Sequence, residues 1–301
     1  MNTLTPCAVY LQRLAASGRR SMAAQLKQVA IRLNWTQDVY ECAFHTLNYA
    51  QIESIKIAMV GEGKSFNTIN HLLSAIKCIN REAFIMGLIN EQAYSKIQAI
   101  KRVSGTKRKF EPPPQAEVKK LLSAIALETD PIAIRNAAIF AVLCGAGLRR
   151  SEVSNLLVEH FSSEQATLLV VKGKGNKDRQ QPLADWVVNA INKWLLVRSN
   201  AKGYLFFGMG NQITPHQGLS PNTIYWTVRK YTKTILDTLY APHDFRRVYI
   251  TQLLKQNVDL VTVCKLAGHA SVATTQVYDY RDSEVARVAA QNLSFGELDN
   301  D

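Results

Sequence analysis

Residues 166–183 read ATLLVVKGKGNKDRQQPL, and they interrupt a pattern that otherwise runs along most of the chain. Two short runs, ATLLVV at 166–171 and RQQPL at 179–183, flank the glycine-bearing turn KGKGNKD. Short runs of this kind on either side of a Gly-containing turn specify a β-hairpin. On the N-terminal side, PIAIRNAAIFAVLCGAGL at 131–148 is apolar on nearly every face, so it belongs in the centre of a domain. PQAEVKKLLSAIAL at 114–127 begins another helix, and from Trp186 onward the helical period returns. The expected fold is therefore mainly α with a small β-hairpin or sheet, the hairpin lying in a mixed α/β domain.

Upstream of these helices, KRVSGTKRKFEPPP at 101–114 combines a basic run, Ser-Gly and three prolines. Such a stretch neither continues a helix nor packs well, and it reads as an interdomain linker. Before it, apolar residues recur at helical spacing, as in Leu26, Val29, Ala30 and Leu33, or Ile69, Leu72, Leu73, Ile76 and Ile79. Those runs, broken by GEGKSFN and GLINEQ, indicate an all-helical domain of four or five helices. The resulting division is a helical domain at 1–106, a linker at 107–114 and a second domain at 115–301. GEGKS at 61–65 ends like a phosphate-binding loop, but the glycine that loop needs at position 58 is Ala58. The stretch reads as a turn with Ser65 at a helix N-cap.

A chain of 301 residues suits two domains, and its formal charge of +12 draws polyanions, nucleic acid being the commonest. A basic surface with no partner is the competing explanation. The charge is concentrated: residues 1–110 carry 15 Lys and Arg against 6 Asp and Glu, and residues 111–301 carry 21 against 18. The five cysteines form no CxxC pair and no finger-like spacing with histidine, so they read as reduced, mostly buried thiols. The N-terminus lacks the charge order of a signal peptide, and the longest apolar run, at 137–148, is too short to span a bilayer. These features point to a cytoplasmic protein with no membrane association.

Four polar elements of the second domain stand out. Arg149 follows a Gly-rich break in GAGLRRSEV at 145–153; Lys174 lies at the hairpin tip; His243 and Arg246 are three apart in PHDFRR at 242–247; and His269 precedes Tyr278 by nine residues in LAGHASVATTQVYDY at 266–280. Each has an ordinary explanation: surface charge for Arg149, a solvated turn lysine for Lys174, packed aromatics for Tyr278 and Tyr280. Together they form a set suited to phosphodiester chemistry without a metal or cofactor. Guanidinium forks bind non-bridging phosphate oxygens and stabilise the charge of the transition state. A tyrosine can act as nucleophile and conserve the bond energy in a phosphotyrosine. The leaving 5′-oxygen needs a proton, from Lys174 or a histidine.

In this order, GAGLRRSEV, VKGKGNKDRQQPL, HDFRR and LAGHASVATTQVYDY resemble the signatures of the tyrosine recombinases, the phage-integrase family. The resemblance runs from about Glu111 to about Ala290, and the helical region before it is similar to the family's core-DNA-binding domain. It implies that Arg149 and Arg246 clamp the phosphate, that Lys174 is the general acid, and that His243 and His269 handle hydrogen bonds and protons. It implies that Tyr278 is the nucleophile and that Glu152 supports the first cluster. Tyr280 falls outside the pattern. Two positions depart from it, Phe245 and Ala267, where the family usually carries leucine.

The resemblance thus implies a site-specific recombinase that cleaves and rejoins double-stranded DNA through a 3′-phosphotyrosine, in integration, excision or resolution of DNA elements. It implies a homo-tetramer on synapsed DNA, with the helix after Tyr278, RDSEVARVAAQNLSF, docking on a neighbour or packing in cis. Two rivals remain at this point. One is a monomeric relaxing topoisomerase or DNA-end resolvase, recognisable by action on any supercoiled DNA. The other is a DNA-binding regulator without catalysis, against which the complete six-residue set argues.

Overall fold

The computed structural model describes residues 4–105, 112–171, 178–198, 202–209, 213–278 and 290–291. Lys174, Tyr280, the centre of the expected linker at 106–111 and nearly all of the expected C-terminal helix lie outside the described residues. The chain divides into two compact units, residues 1–109 and 110–301.

The first unit is helical: α1 (Pro6–Gln12), α2 (Ala16–Arg32), α3 (Tyr49–Gly61), α4 (Phe66–Ile85) and α5 (Glu91–Gln98). Polar caps set several of the starts. Asn48 and Gln51 form a reciprocal capping box on α3, and Ser65 accepts the Thr68 N–H at 3.2 Å to open α4. α4 is the spine. Its Ile69, Leu72, Leu73, Ile76 and Ile79 are buried against Leu11, Leu26 and Ile52. Each such side chain contributes about 1.5–3 kcal/mol on burial.

The second unit is built around α7 (Pro131–Gly145), which Asp130 caps by accepting from the Ile132 and Ala133 N–H groups. Its apolar circumference is covered by α6 (Gln115–Ala126), α9 (Asp185–Arg198) and α11 (Pro242–Lys255), with α10 (Pro221–Leu236) packing on α6. Phe140 of α7 meets Phe245 edge-on at 5.5 Å and Tyr231 at 5.8 Å. Phe245 is one of the two departures from the family pattern, and its ring is fully buried in this aromatic cluster. Ala267, the other, is fully buried in a smaller core with Tyr249, Ile250 and Val263. Three short helices complete the unit: α8 (Arg150–Ser154), α12 (Leu260–Ala267) and α13 (Val272–Gln276).

The hairpin forms as expected. β1 (Phe161–Ser162), β2 (Thr167–Val170) and β3 (Arg179–Pro182) make an antiparallel sheet in that order, with Leu168 opposite Gln181 and Val170 opposite Arg179. The expectation of helices alone after Trp186 needs correction. β4 (Phe207–Met209) and β5 (Ile213–Gly218) form a second, two-stranded sheet. β4 has only three residues, β5 reads ITPHQG, and the pairing carries a register shift, so no two-residue apolar period marks it. It is held instead by buried Phe206 and Phe207 and by an Arg135 hydrogen bond to the Phe207 carbonyl at 2.9 Å.

Cys7, Cys42, Cys144 and Cys264 are buried free thiols, and Cys78 is exposed. Among the described residues no helix is long and apolar enough to cross a membrane.

Candidate active site

The chain leaves α7 through Gly147, whose φ of +61° favours glycine, and Arg149 becomes the N-cap of α8. One turn later Glu152 reaches back. Its Oε2 accepts the Arg149 backbone N–H at 2.9 Å and its Oε1 accepts Arg149 Nη1 at 2.7 Å. Arg179, at the start of β3, closes on the same carboxylate from the other side, Nη1 to Oε1 and Nη2 to Oε2, both at 3.0 Å. The Glu152 side chain is only 6% exposed. Burial alone would raise its pKa, but the Arg179 and Arg149 hydrogen bonds and charges outweigh burial and hold it below the usual carboxylate range. Glu152 is therefore a fixed anion.

Arg246 projects from the first turns of α11 and is 1% exposed. Its Nη1 donates to the Gly147 carbonyl at 2.6 Å and its Nη2 to the Ala267 carbonyl. Arg149 Nη2 donates to the next carbonyl, that of Gly268, at 2.7 Å. Both arginines thus dock on the C-terminal end of α12, where carbonyls lack helical partners and the helix dipole favours cations. Burial, then repulsion from Arg149, lowers the Arg246 pKa to about 10, so it stays charged near neutral pH. Three guanidiniums against one carboxylate leave about two unit charges in excess, an arrangement complementary to a phosphate.

His243 lies in the first turn of α11 and remains accessible to solvent. Partial desolvation, together with Arg247, Arg246 and Arg149, lowers its pKa to about 4. It is thus a neutral imidazole beside a cationic cluster, able to exchange hydrogen bonds without adding charge.

Gly268 ends α12 in the left-handed region, φ +60°, and turns the chain so that the His269 N–H bonds to the Cys264 carbonyl at 3.0 Å. His269 Nδ1 is 2.8 Å from Oγ1 of the fully buried Thr275. The Tyr278 N–H bonds to the Thr275 carbonyl at 2.9 Å, and the Tyr278 ring lies over His269, centroids 6.3 Å apart and 23° from parallel. The structure therefore gathers Arg149, Glu152, Arg246 and the carbonyls before His269 into one network, with His243 beside its arginines and Tyr278 stacked on His269.

Three contributors lack an obvious sequence signal: Thr275, Gln181 and Arg179. Gln181 is fully buried and donates to the Tyr249 hydroxyl at 2.8 Å, while the Tyr249 ring covers Gly147. Arg179 and Gln181 share the face of the hairpin that carries Leu168 and Val170. Two polar residues at inward positions of a half-buried strand are a signal that could have been read, because such groups require buried partners.

Residues 114–284 match the model of the phage integrase family. The chain is 32% identical over 243 residues to the tyrosine recombinase XerC of Alcanivorax borkumensis, covering 79% of this chain and 76% of the relative. It is 30% identical over 232 residues to the XerA recombinase of Pyrococcus furiosus, covering 77% and 73%. Among solved structures, the Tn1549 transposon integrase in complex with circular intermediate DNA superposes with a TM-score of 0.69, at 17% identity and over 97% of this chain and all of the other. The XerH site-specific recombinase in its post-cleavage complex on palindromic difH substrate gives 0.65, at 20% identity, over 91% and 79%. By the extent of the family match and by these relatives, the chain belongs to the phage integrase family, the tyrosine recombinases.

Proposed function

We propose that this protein is a site-specific DNA recombinase in which Tyr278 breaks and remakes DNA strands. The Tyr278 hydroxyl passes its proton to His269 or water as its oxygen attacks the scissile phosphorus, the bond to the 5′-oxygen breaks, and a 3′-phosphotyrosine forms. The departing oxygen takes a proton from Lys174 and leaves as a hydroxyl. Religation runs the same steps backward with a 5′-hydroxyl from another strand, so no external energy source is needed. Arg149 and Arg246 hold the non-bridging oxygens, and their carbonyl and carboxylate partners keep both guanidiniums in place before DNA arrives. Neutral His243 supplies a hydrogen bond, and Thr275 fixes the plane in which His269 faces Tyr278. The observation that carries the reading is this pairing: the Tyr278 ring is stacked on His269 in a segment whose first carbonyls anchor both arginines.

Double-stranded DNA is the partner. Residues 1–106, which with the basic start of the linker carry most of the excess charge, act as a core-DNA-binding domain, and residues 115–301 as the catalytic domain, joined by the linker at 107–114. On the catalytic unit, Arg150 and Arg229 lie over the Tyr225 ring at 5.6 and 5.4 Å, beside the exposed Trp226. Such a ledge of guanidiniums and aromatic rings suits phosphates and base edges. Exchange between two duplexes cuts four strands, each needing one Tyr278, so the active assembly is a tetramer on two synapsed sites.

The test begins with a pool of randomised duplexes, each carrying a nick that lets the short cleaved piece diffuse away. The wild-type protein is expected to retain a defined sequence class covalently, and Tyr278→Phe to bind those duplexes without forming an adduct. Adducts with Tyr278→Phe, or indiscriminate cleavage of the pool, would refute the reading.

A further inference from the structure

We propose that Arg179 is a positioning residue for the cleavage reaction: it fixes Glu152, and through Glu152 it sets where the Arg149 guanidinium meets the scissile phosphate. The inference rests on the functional reading above and extends it to a residue outside the six-member set.

Arg179 lies between two parts of the site. Its forked Nη1 and Nη2 each bond one oxygen of Glu152, and the remaining capacity of that carboxylate is taken by the Arg149 backbone and Nη1. The Arg179 guanidinium also lies against Gly268: a Cβ at that glycine would be 3.0 to 3.2 Å from Nη1, Cζ and Nε. Gly268 supplies the carbonyl that holds Arg149 Nη2. Arg179 therefore backs both anchors of Arg149, the carboxylate on one side and the glycine on the other. Its side chain is 14% exposed.

The consequence follows from charge and geometry. A carboxylate held by two guanidiniums shares its attraction between them and cannot rotate. Without the Arg179 fork, both oxygens of Glu152 become available to Arg149. A bidentate pair between the two would turn the Arg149 N–H edges away from the phosphate. A lysine at 179 restores the charge but not the paired, planar donors, so it does not replace the fork. The loss should appear in the transition state, where the phosphate charge grows, more than in DNA binding, which many other phosphate contacts support.

The experiment uses the full chain and the nicked duplex recovered from the randomised pool, with single-turnover adduct formation and non-covalent DNA affinity measured separately. Arg179→Lys is expected to slow adduct formation by about 10²-fold, the scale for loss of a pre-organised donor, while Kd changes by less than about 3-fold. Glu152→Gln combined with Arg179→Lys is expected to be no slower than the slower single variant, because both act through one carboxylate. Thermal unfolding of each variant ensures that rates are compared on folded protein, and the lysine variant avoids leaving Glu152 beside a cavity. Wild-type rates in Arg179→Lys, rate losses that multiply in the double variant, or equal losses in rate and affinity would each overturn the assignment. If Tyr278→Phe abolishes adducts while Arg179→Lys behaves as wild type, this inference fails and the recombinase reading stands. If the wild type forms no adduct, that reading itself fails.

Discussion

Replacing Gly147 by alanine should damage stability and cleavage together, because this residue both makes the turn before Arg149 and provides a carbonyl to Arg246. An added Cβ at φ +61° adopts the left-handed conformation, at about 1–2 kcal/mol. It would also lie 2.2 Å from Cδ1 and 2.8 Å from Cγ of Tyr249, far inside van der Waals contact. That ring is 8% exposed and tied by its hydroxyl to Gln181, so it cannot step aside freely. Overpacking of this kind costs about 1–3 kcal/mol. Straining the Gln181 bond adds roughly 1 kcal/mol. The expected destabilisation of the second unit is thus about 3–6 kcal/mol, among the larger single-residue effects. Three of the four tryptophans, Trp186, Trp194 and Trp226, lie in that unit, so urea unfolding followed by their fluorescence reads it directly. In a Tyr249→Ala background the overlap is gone, and the penalty of Gly147→Ala should fall to roughly the 1–2 kcal/mol of backbone strain. An equal penalty in both backgrounds, or a Gly147→Ala protein that is nearly as stable as wild type and cleaves at the same rate, would refute the reasoning.

Three further outcomes are expected. Cleavage should proceed at a similar rate in excess EDTA, since the proposed mechanism gives Arg149 and Arg246 the charge stabilisation that a divalent ion provides in metal-dependent nucleases; strict dependence on a divalent ion at the cleavage step would contradict the mechanism. A fragment of residues 1–109 should bind duplex DNA weakly and lose affinity steeply with salt, through counterion release, and residues 110–301 should bind less well; tighter binding by the second fragment would reverse the assignment of charge to partner. Lys174→Ala should slow cleavage by about 10² to 10⁴, the range of general acid catalysis, and sulfur in place of the bridging 5′-oxygen should restore its rate but not that of Arg149→Ala; absence of rescue would move the acid's role to a histidine.

The parts of the fold that were legible in the sequence are those where one chemical requirement sets one pattern. The apolar circumference of α7 leaves no place for it but a core, and the runs around the glycine-bearing turn admit only a hairpin. The sheet of β4 and β5 was not legible, because β4 has three residues, β5 reads ITPHQG with one aliphatic residue and a proline, and the sheet is held by a buried arginine and two phenylalanines rather than by alternation. Spacing along the chain brought forward Arg149, His243, Arg246, His269 and Tyr278, but it said nothing of what holds them. Apart from Glu152, which the resemblance did imply, the arginines' partners are backbone carbonyls at Gly147, Ala267 and Gly268, which every residue type carries and no pattern reveals. Arg179 is marked only by its inward register opposite Val170: a strand arginine beside a hairpin turn usually faces water, and the burial of Glu152 makes it an internal group.

The spacing of the last motif acquires a physical cause in the end of α12. Helix α12 is eight residues long, and its terminal carbonyls, exposed by the left-handed turn at Gly268, are the common platform for Arg149 and Arg246. The next residue is His269, which is therefore registered to Arg149 by one peptide unit and to Arg246 by two. From there the chain makes the short helix α13, and Thr275 acts at both ends of it. Its hydroxyl meets His269 Nδ1, and its carbonyl accepts the Tyr278 N–H. This closed loop returns the Tyr278 ring over the His269 ring nine residues on. A shorter interval would remove the residues that make the α13 turn, and a longer one would carry the phenol past the imidazole. The interval between histidine and tyrosine is thus the length of backbone needed to leave the arginine platform, make one helical turn and come back.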